Sequence, residues 1–180
     1  MRLRRAFVLV LTAATAALPA VAHDHRVPRT MLRFEGRALQ PGSQGTSTWV
    51  THADERYYVV QHSDSSWEFP EPVSVIAGRT AAIRLRKAAR PLVARLDAWV
   101  SEGSDRYLVG PTEIRFDLVR AGSRAWDIRF DTGLACRHSY LTLDAAWMDE
   151  QGTGQRQDAT WLFHYVTDIA ASGRRVACAT

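Results

Sequence analysis

The chain has 180 residues, of which 23 are Lys or Arg and 19 are Asp or Glu, and its formal net charge at pH 7 is +4. Three of the basic residues, Arg2, Arg4 and Arg5, lie in the leader predicted below, so residues 23–180 carry 20 basic and 19 acidic side chains, a net charge of +1. A charge so close to zero argues against nucleic acid as a partner, because phosphate binding requires a clustered positive surface.

Residues 1–22 have the pattern of an export signal. The basic start is followed by an apolar run at 6–18, and Ala20-Val21-Ala22 places small residues where a signal peptidase cuts. A membrane helix needs about 20 apolar residues, and this run is shorter. No later apolar stretch approaches that length. We expect a secreted, extracellular protein, or a periplasmic one in a Gram-negative host, with no membrane span after the leader.

Residues 23–180 suffice for one well-buried domain and are short for two. We expect an extended, polar lead-in at 23–30 and a single domain at 31–180. The chain has two cysteines, Cys136 and Cys178. In an oxidising compartment they are expected to form a disulfide, which would stabilise the fold by roughly 4 kcal/mol on a chain-entropy model.

Short alternating segments separated by turn residues predict strands along the whole domain. In the first part of the domain we expect strands at 31–34, 47–51, 56–62 and 73–76, with loops at 40–45 and 63–72.

The stretch 78–100 gives the clearest alternation. Ile83 and Leu85 alternate with Arg84 and Arg86. After the Arg90-Pro91 corner, the even-numbered residues from Leu92 to Val100 are apolar and alternate with Val93, Arg95, Asp97 and Trp99. The pattern predicts a strand, a turn and a second strand, with Arg84 and Arg86 facing outward near Asp97 of the neighbouring strand.

The second half continues the pattern, with a turn expected at Gly110-Pro111. Alternation at 113–118 and 126–130 around Ala121-Gly122-Ser123 predicts a hairpin. A further strand is expected at 141–147, and 160–167 is apolar on both faces, which is typical of a central strand. No stretch has a sustained helical period, and turn signals recur roughly every 8 to 12 residues. The fold class is therefore all-β, an immunoglobulin-like or fibronectin-like antiparallel β-sandwich, with a small β-barrel as the alternative.

The sequence contains no phosphate-binding glycine loop, G-x-S-x-G elbow, H-E-x-x-H helix or C-x-x-C pair. His62-Ser63-Asp64 brings three triad residue types together, but such a triad is assembled in space, and a polar strand end entering a turn is the simpler interpretation. The residues thus predict no catalytic site, and a non-enzymatic protein is the more favoured reading.

Two charged sets have both a binding and a solvated interpretation. A calcium loop could use clustered acids, although their spacing differs from that of an EF-hand. These acids are Asp144, Asp149, Glu150 and Asp158. A set of basic residues could bind an anionic cell-wall polymer. The competing interpretation is that these residues are solvated or paired with acidic side chains. This basic set is Arg79, Arg84, Arg86, Lys87, Arg90 and Arg95.

Cleavage after Ala22 would expose His23-Asp24-His25 with a free α-amine. The amine, two backbone amides and the imidazole of His25 can supply four nitrogens in a square around Cu(II) or Ni(II). Alternatively, the amine and ring of His23 could bind copper together with a second histidine. The candidates for that histidine are His52, His62, His138 and His164. A histidine-rich tail without a metal is the competing interpretation.

The Ala-Val-Ala-His junction and the all-β pattern are similar to those of periplasmic copper carriers of the CopC type and of lytic polysaccharide monooxygenases. This resemblance implies a copper cofactor held at His23 or His25.

A broader resemblance is to small exported β proteins of high-GC Gram-positive bacteria, a group without an assigned activity. It is carried by His-Asp-His-Arg-x-Pro at 23–28, the Ile-Arg-Leu-Arg-Lys strand with its proline corner, and Trp161-x-Phe163. It implies export and one β domain, and it supplies no catalytic residues.

We therefore expect a secreted, non-enzymatic binding or cell-envelope interaction module without a cofactor. Its partner would be an extracellular protein or polymer. The alternative is a copper-binding carrier or oxidase.

Overall fold

The computed structural model describes residues 27–53, 56–62, 70–102, 109–149, 153–170 and 172–177. Twelve β-strands account for most of these residues. The strands are β1 Thr30–Phe34, β2 Arg37–Pro41, β3 Ser43–Ala53, β4 Arg56–His62, β5 Val73–Ile76, β6 Thr80–Leu85, β7 Val93–Glu102, β8 Val109–Glu113, β9 Phe116–Arg120, β10 Trp126–Asp131, β11 Arg137–Met148 and β12 Arg156–Ile169.

The strands form two sheets packed face to face. One has the order β2-β1-β6-β10-β9, and the other has the order β4-β3-β12-β11-β7-β8, with β5 lying parallel beside the end of β12. All other pairings are antiparallel. The prediction of an all-β sandwich is confirmed, and among the residues described the sheets do not close into the alternative barrel. The closer likeness to immunoglobulin or fibronectin domains stays a prediction.

The core lies between the sheets and follows the period of two in the strands. Leu32 and Ile83 from the five-stranded sheet are fully buried against residues such as Leu96, Leu141 and Phe163 from the seven-stranded sheet. Side chains at alternate positions of each strand share one face, so each strand contributes its apolar set to this layer. Hydrophobic burial between the sheets is therefore the main stabilising term.

The β9–β10 hairpin and the central position of β12 are both confirmed. Trp126 pairs with Arg120 and Phe130 with Phe116 across the hairpin. The apolar strand predicted at 160–167 lies within β12, which has β11 on one side and β3 and β5 on the other.

The prediction that 78–100 forms two neighbouring strands is wrong in its pairing. The two strands exist as β6 and β7, but β6 lies in the five-stranded sheet and β7 in the seven-stranded sheet. Arg84 consequently pairs with Asp127 on β10, with Nε 2.8 Å from Oδ1, rather than lying near Asp97. The Arg90-Pro91 corner is a crossover between sheets, because alternation specifies the buried face of a strand but not its sheet.

The predicted loop at 40–45 is also wrong. Gln40 and Pro41 end β2, and Ser43 begins β3 in the other sheet, so that Gly42 alone connects them. Pro41 is tolerated because β2 is an edge strand. A Cβ at Gly42 would approach the Phe163 ring to 2.8 Å, so the crossing requires glycine. Gly110-Pro111, predicted as a turn, lies inside β8.

Residues 27–29 precede β1 and belong to no strand, whereas Thr30, which was expected to end the lead-in at 23–30, begins β1. The leader, residues 23–26 and most of the predicted loop at 63–72 lie outside the described residues. No helix in the part of the chain that the structure describes is long and apolar enough to cross a membrane.

Candidate binding site

One end of the space between the sheets is filled by tryptophans. Trp147 contacts Trp49 and Trp161 edge to face, with ring centroids 5.9 and 6.4 Å apart. The crossover after β6 covers this end, because the Trp147 indole donates to the Ala89 carbonyl at 3.2 Å. Lys87 lies 5.5 Å from the Trp49 ring centroid, within the range of a cation–π contact. We refer to this region as the closed end.

The opposite end of the same space contains a cavity of about 660 Å³. Its walls come from β7, β8, β11 and β12 of the seven-stranded sheet, and from residues 131–134, which include the last residue of β10 in the other sheet. We call it the end cavity. Its lining residues are Ala98, Val100, Thr112, Ile114, Asp131, Thr132, Gly133, Leu134, Arg137, Ser139 and Tyr165. Its volume lies in the range of about 300 to 1,000 Å³ that is typical of small-molecule sites.

The end cavity exists because the side chains at this end are small. Ala98, Val100 and Ser139 point inward here, at positions on β7 and β11 that continue the face carrying Leu141 and Trp147. Small residues on a face that is otherwise bulky leave a space that the facing sheet does not fill.

The β8 wall depends on a close backbone approach at Gly110. Gly110 has φ +148°, and a Cβ at this position would lie 2.6 Å from the Ala98 carbonyl oxygen. Only glycine permits this approach of β8 to β7. The approach places Thr112 and Ile114 on the cavity wall.

The Thr132 hydroxyl fixes the opposite wall. It donates to the Ile76 carbonyl at 2.8 Å and accepts from the Arg79 amide at 3.1 Å. The Thr132 carbonyl in turn accepts from the Tyr165 hydroxyl at 3.1 Å. The segment 131–134 is therefore tied both to the end of β5 and to the central strand β12.

Two polar residues of the lining, Ser139 and Asp131, lie close to the Tyr165 hydroxyl. Burial raises the pKa of the Tyr165 hydroxyl above its usual value; a hydrogen bond with Ser139 acts in the opposite direction, and the nearby Asp131 carboxylate raises it further. Arg137 also belongs to the lining. The cavity thus combines apolar walls with hydroxyl groups, a carboxylate and an arginine, a set that can orient a ligand with an apolar body and a polar head.

The turn that precedes β11 is held against β12 beside the cavity. The Thr167 hydroxyl, which is fully buried, donates to the Leu134 carbonyl and accepts from the Arg137 amide at 3.1 Å. The Cys136 amide donates to the Thr167 carbonyl at 2.7 Å. Leu134 remains 68% exposed at the rim, so an apolar side chain borders the opening.

The structure brings two of the predicted copper-binding histidines together. His138 Nδ1 lies 3.1 Å from His164 Nε2, and His164 Nδ1 lies 3.1 Å from the Pro70 carbonyl oxygen. The His164 ring also stacks on Tyr140, with centroids 3.9 Å apart. These residues lie on the outer face of β11 and β12, away from the end cavity. His52 and His62 lie on β3 and β4, and His23 and His25 lie outside the described residues.

Two of the acids considered for a calcium loop, Asp149 and Asp144, make separate sets of hydrogen bonds. Asp149 is buried, where its carboxylate accepts from Gln157 at 3.1 Å and from the Thr153 hydroxyl at 2.9 Å. Asp144 accepts from Thr160. The expectation of solvated carboxylates is thus wrong for Asp149. Glu150 lies outside the described residues. Among the residues described, no three metal-ligating side chains are gathered into one cluster.

The predicted basic set is largely engaged within the molecule. Arg84 binds Asp127 through two nitrogens, and Arg95 Nε lies 2.8 Å from Asp97 Oδ2. Arg90 lies 5.8 Å from the Trp126 ring, and Lys87 lies over the closed end.

Of the triad-like set, His62 ends β4, and Ser63 and Asp64 lie outside the described residues. The predicted partner of Cys136, Cys178, lies outside them as well.

Comparison with protein-family models, curated proteins and solved structures finds no match to this chain.

The residues of the end cavity were not predicted from the sequence. Tyr165 lies within the strand predicted at 160–167, Ser139 lies just before the strand predicted at 141–147, and Asp131-Thr132-Gly133 has residue types that are common in turns. One signal in the sequence could have indicated the cavity. Small residues replace bulky ones at inward positions of two neighbouring strands, at Ala98 on β7 and at Ser139 on β11.

Proposed function

We propose that the protein is an exported, non-enzymatic binding module whose ligand occupies the end cavity. The observation that carries this proposal is the cavity of about 660 Å³ between two well-packed sheets, in which Ser139 and Asp131 lie close to the Tyr165 hydroxyl. An apolar cavity of this size with a few convergent polar groups is the usual form of a small-molecule site.

The lining indicates the class of ligand. Val100, Ile114 and Leu134 favour an apolar body, and Arg137 at the same site favours an anionic or hydrogen-bond-accepting head. A compact amphiphile with an acidic head fits both features.

The hydrogen bonds of the cavity favour binding over hydrolysis. The hydroxyl of Ser139 is bonded to Tyr165, whose raised pKa keeps its phenol protonated. A protonated phenol that already donates to the Thr132 carbonyl cannot take a proton from Ser139. Ser139 therefore lacks an activating base within this pair.

The experiment is a fluorescence titration with 1-anilinonaphthalene-8-sulfonate, which has an apolar body and an acidic head. We expect one-to-one binding that weakens at least about tenfold in Val100→Trp, which fills the cavity. Val93→Trp is the matched control, because Val93 lies at the other end of β7 and is 47% exposed. Equal binding by the two variants would reject the end cavity as the site.

A second candidate function is copper binding, and the contact between His138 and His164 favours it. Two imidazole nitrogens 3.1 Å apart are close enough to ligate one ion in place of a shared proton. The contact of His164 Nδ1 with the Pro70 carbonyl is the type of outer hydrogen bond that orients a ligating histidine. In this reading, His23 or His25 of the processed amino terminus completes the site.

The copper candidate is tested by calorimetric titration of Cu(II) into protein that begins at His23 and into protein with one residue added before it. Tight one-to-one binding that is lost on extension and in His164→Ala supports the candidate. Binding that neither change weakens would place the copper elsewhere.

We also infer a disulfide between Cys136 and Cys178. The Cys136 amide bonds to Thr167, and the Val176 amide donates to the adjacent Asp168 carbonyl at 2.8 Å. The chain two residues before Cys178 thus runs beside the strand that Cys136 contacts. Mass spectrometry after alkylation without reduction is expected to show two unmodified cysteines, and two alkylated cysteines would contradict the pairing.

A further inference from the structure

A second concave surface lies on the outer face of the seven-stranded sheet. This outer groove has a volume of about 490 Å³, and the side chains that define its chemistry are Asp97, Trp99, Thr142, Asp144, Thr160 and Leu162. The register explains their grouping: Asp97 is opposite Thr142, which is opposite Leu162, and Asp144 is opposite Thr160. Side chains at paired positions share a face, so three strands contribute to one surface.

Asp97 is the unusual member of the outer groove. It is only 6% exposed, and its Oδ2 lies 2.8 Å from Arg95 Nε. Its Oδ1 is buried and has no hydrogen-bond partner among the described residues. Buried carboxylate oxygens are rarely left unpaired, because desolvation without a hydrogen bond is unfavourable. Asp97 belongs to the lining of the groove, so this oxygen is the acceptor there that a ligand donor can satisfy.

The remaining polar groups also require donors from the ligand. Asp144 accepts from the Thr160 hydroxyl and, as a carboxylate, donates to nothing. The threonine hydroxyls can either donate or accept. A ligand that complements this surface must therefore bring several hydroxyl groups.

The charge of the outer groove disfavours ionic ligands. Arg95 compensates Asp97, which leaves Asp144 as the other acid of the lining. The exposed Glu113 of β8 lies opposite Asp97 of β7 in the strand register. Acids at the surface repel an anionic polymer. A cation would compete with Arg95 for Asp97. In the described part of the chain, no three metal-ligating side chains lie together to hold a metal ion.

Apolar surface completes the outer groove. Trp99 and Leu162 lie beside the carboxylates and threonines. An aromatic side chain offers a large apolar area at small entropic cost, and it suits a ligand with apolar C–H faces. Sugar rings combine such faces with several hydroxyl donors. We propose that the outer groove binds a neutral carbohydrate chain through Trp99 and the unpaired Asp97 oxygen.

The test is affinity electrophoresis of the full processed protein in native gels that contain laminarin, xylan, galactomannan or dextran. At least one of these neutral polymers retards the wild type, and the apparent affinity falls at least about tenfold in Trp99→Ala and in Asp97→Ala. Trp126→Ala and Asp117→Ala, on the other sheet, serve as matched controls with unchanged retardation. Thr142→Trp fills the groove while keeping Trp99 and Asp97, so it tests the site even if Trp99→Ala does not fold.

Several results would overturn the proposal. These are retardation by no neutral polymer, retardation that survives both Trp99→Ala and Thr142→Trp, and retardation by acidic polygalacturonate alone. If retardation by the polymers required calcium chloride in the gel, the groove would be assigned to a cation instead. Val100→Trp, which blocks the end cavity, is expected to leave carbohydrate binding intact, so this proposal and the proposed function fail separately.

Discussion

The two ends of the sandwich are built from the same sheets but are filled differently. At the closed end, Trp147 packs between Trp49 and Trp161 and is tied to the crossover by its hydrogen bond to Ala89. At the other end, Ala98 and Ser139 occupy inward positions and leave the end cavity. The difference shows that bulky side chains fill and stabilise one end of the interior, whereas small side chains leave a cavity at the other.

Truncation of a side chain at the closed end is expected to have the largest effect. Trp147→Ala removes a fully buried indole and should lower the free energy of unfolding by about 3 to 5 kcal/mol. Leu134→Ala, at the exposed rim of the end cavity, should change it by less than about 0.5 kcal/mol. Urea unfolding followed by circular dichroism measures both. Similar losses for the two variants would remove the contrast between the ends.

Gly110→Ala is expected to have the next largest effect, because it forces β8 away from β7 at the cavity wall. Gly122 also has a positive φ, but a Cβ there meets nothing within 4 Å. Gly110→Ala should therefore be about 1 to 3 kcal/mol more destabilising than Gly122→Ala, which carries backbone strain without a clash. Thermal unfolding of the pair measures the difference. If both variants lose the same stability, the close approach does not shape the wall.

The smallest of the three effects concerns Tyr165. Tyr165→Phe loses the hydrogen bond to the Thr132 carbonyl, which should cost about 1 kcal/mol at pH 7. Since burial raises the folded-state pKa of Tyr165, its contribution is complete below the unfolded value of about 10 and is lost as the pH rises through the folded value.

The gap in stability between wild type and Tyr165→Phe should therefore narrow above about pH 10. Urea unfolding at neutral and alkaline pH follows this change. A gap that stays constant across the alkaline range would mean that Tyr165 ionises as readily in the folded protein as in the unfolded chain.

The sequence predicts local structure better than the cavity for a physical reason. The β9–β10 hairpin was predictable because its two strands and turn are contiguous and its pairings join near neighbours in the chain. It was not predictable which sheet contains β7. The alternation from Ala94 to Val100 specifies the buried face of the strand, and this face is the same whichever strand lies alongside. Tertiary pairing decides that choice.

The candidate sites depend on residues far apart in the chain. Ala98, Asp131 and Tyr165 meet only after the two sheets pack, and the space between them depends on how every neighbouring side chain fills the layer. The outward position of Asp97 followed from the sequence, but its burial and unpaired oxygen did not, because neighbouring strands cover it.

The most direct test of the contrast between the ends is a crystal structure of the processed protein under xenon pressure. Xenon enters apolar cavities without requiring a particular ligand. We predict xenon density among Ala98, Ile114 and Leu134 in the end cavity and none beside Trp147. A structure in which these side chains close the space, or in which xenon lies only among the tryptophans, would contradict the assignment of the end cavity as the binding site.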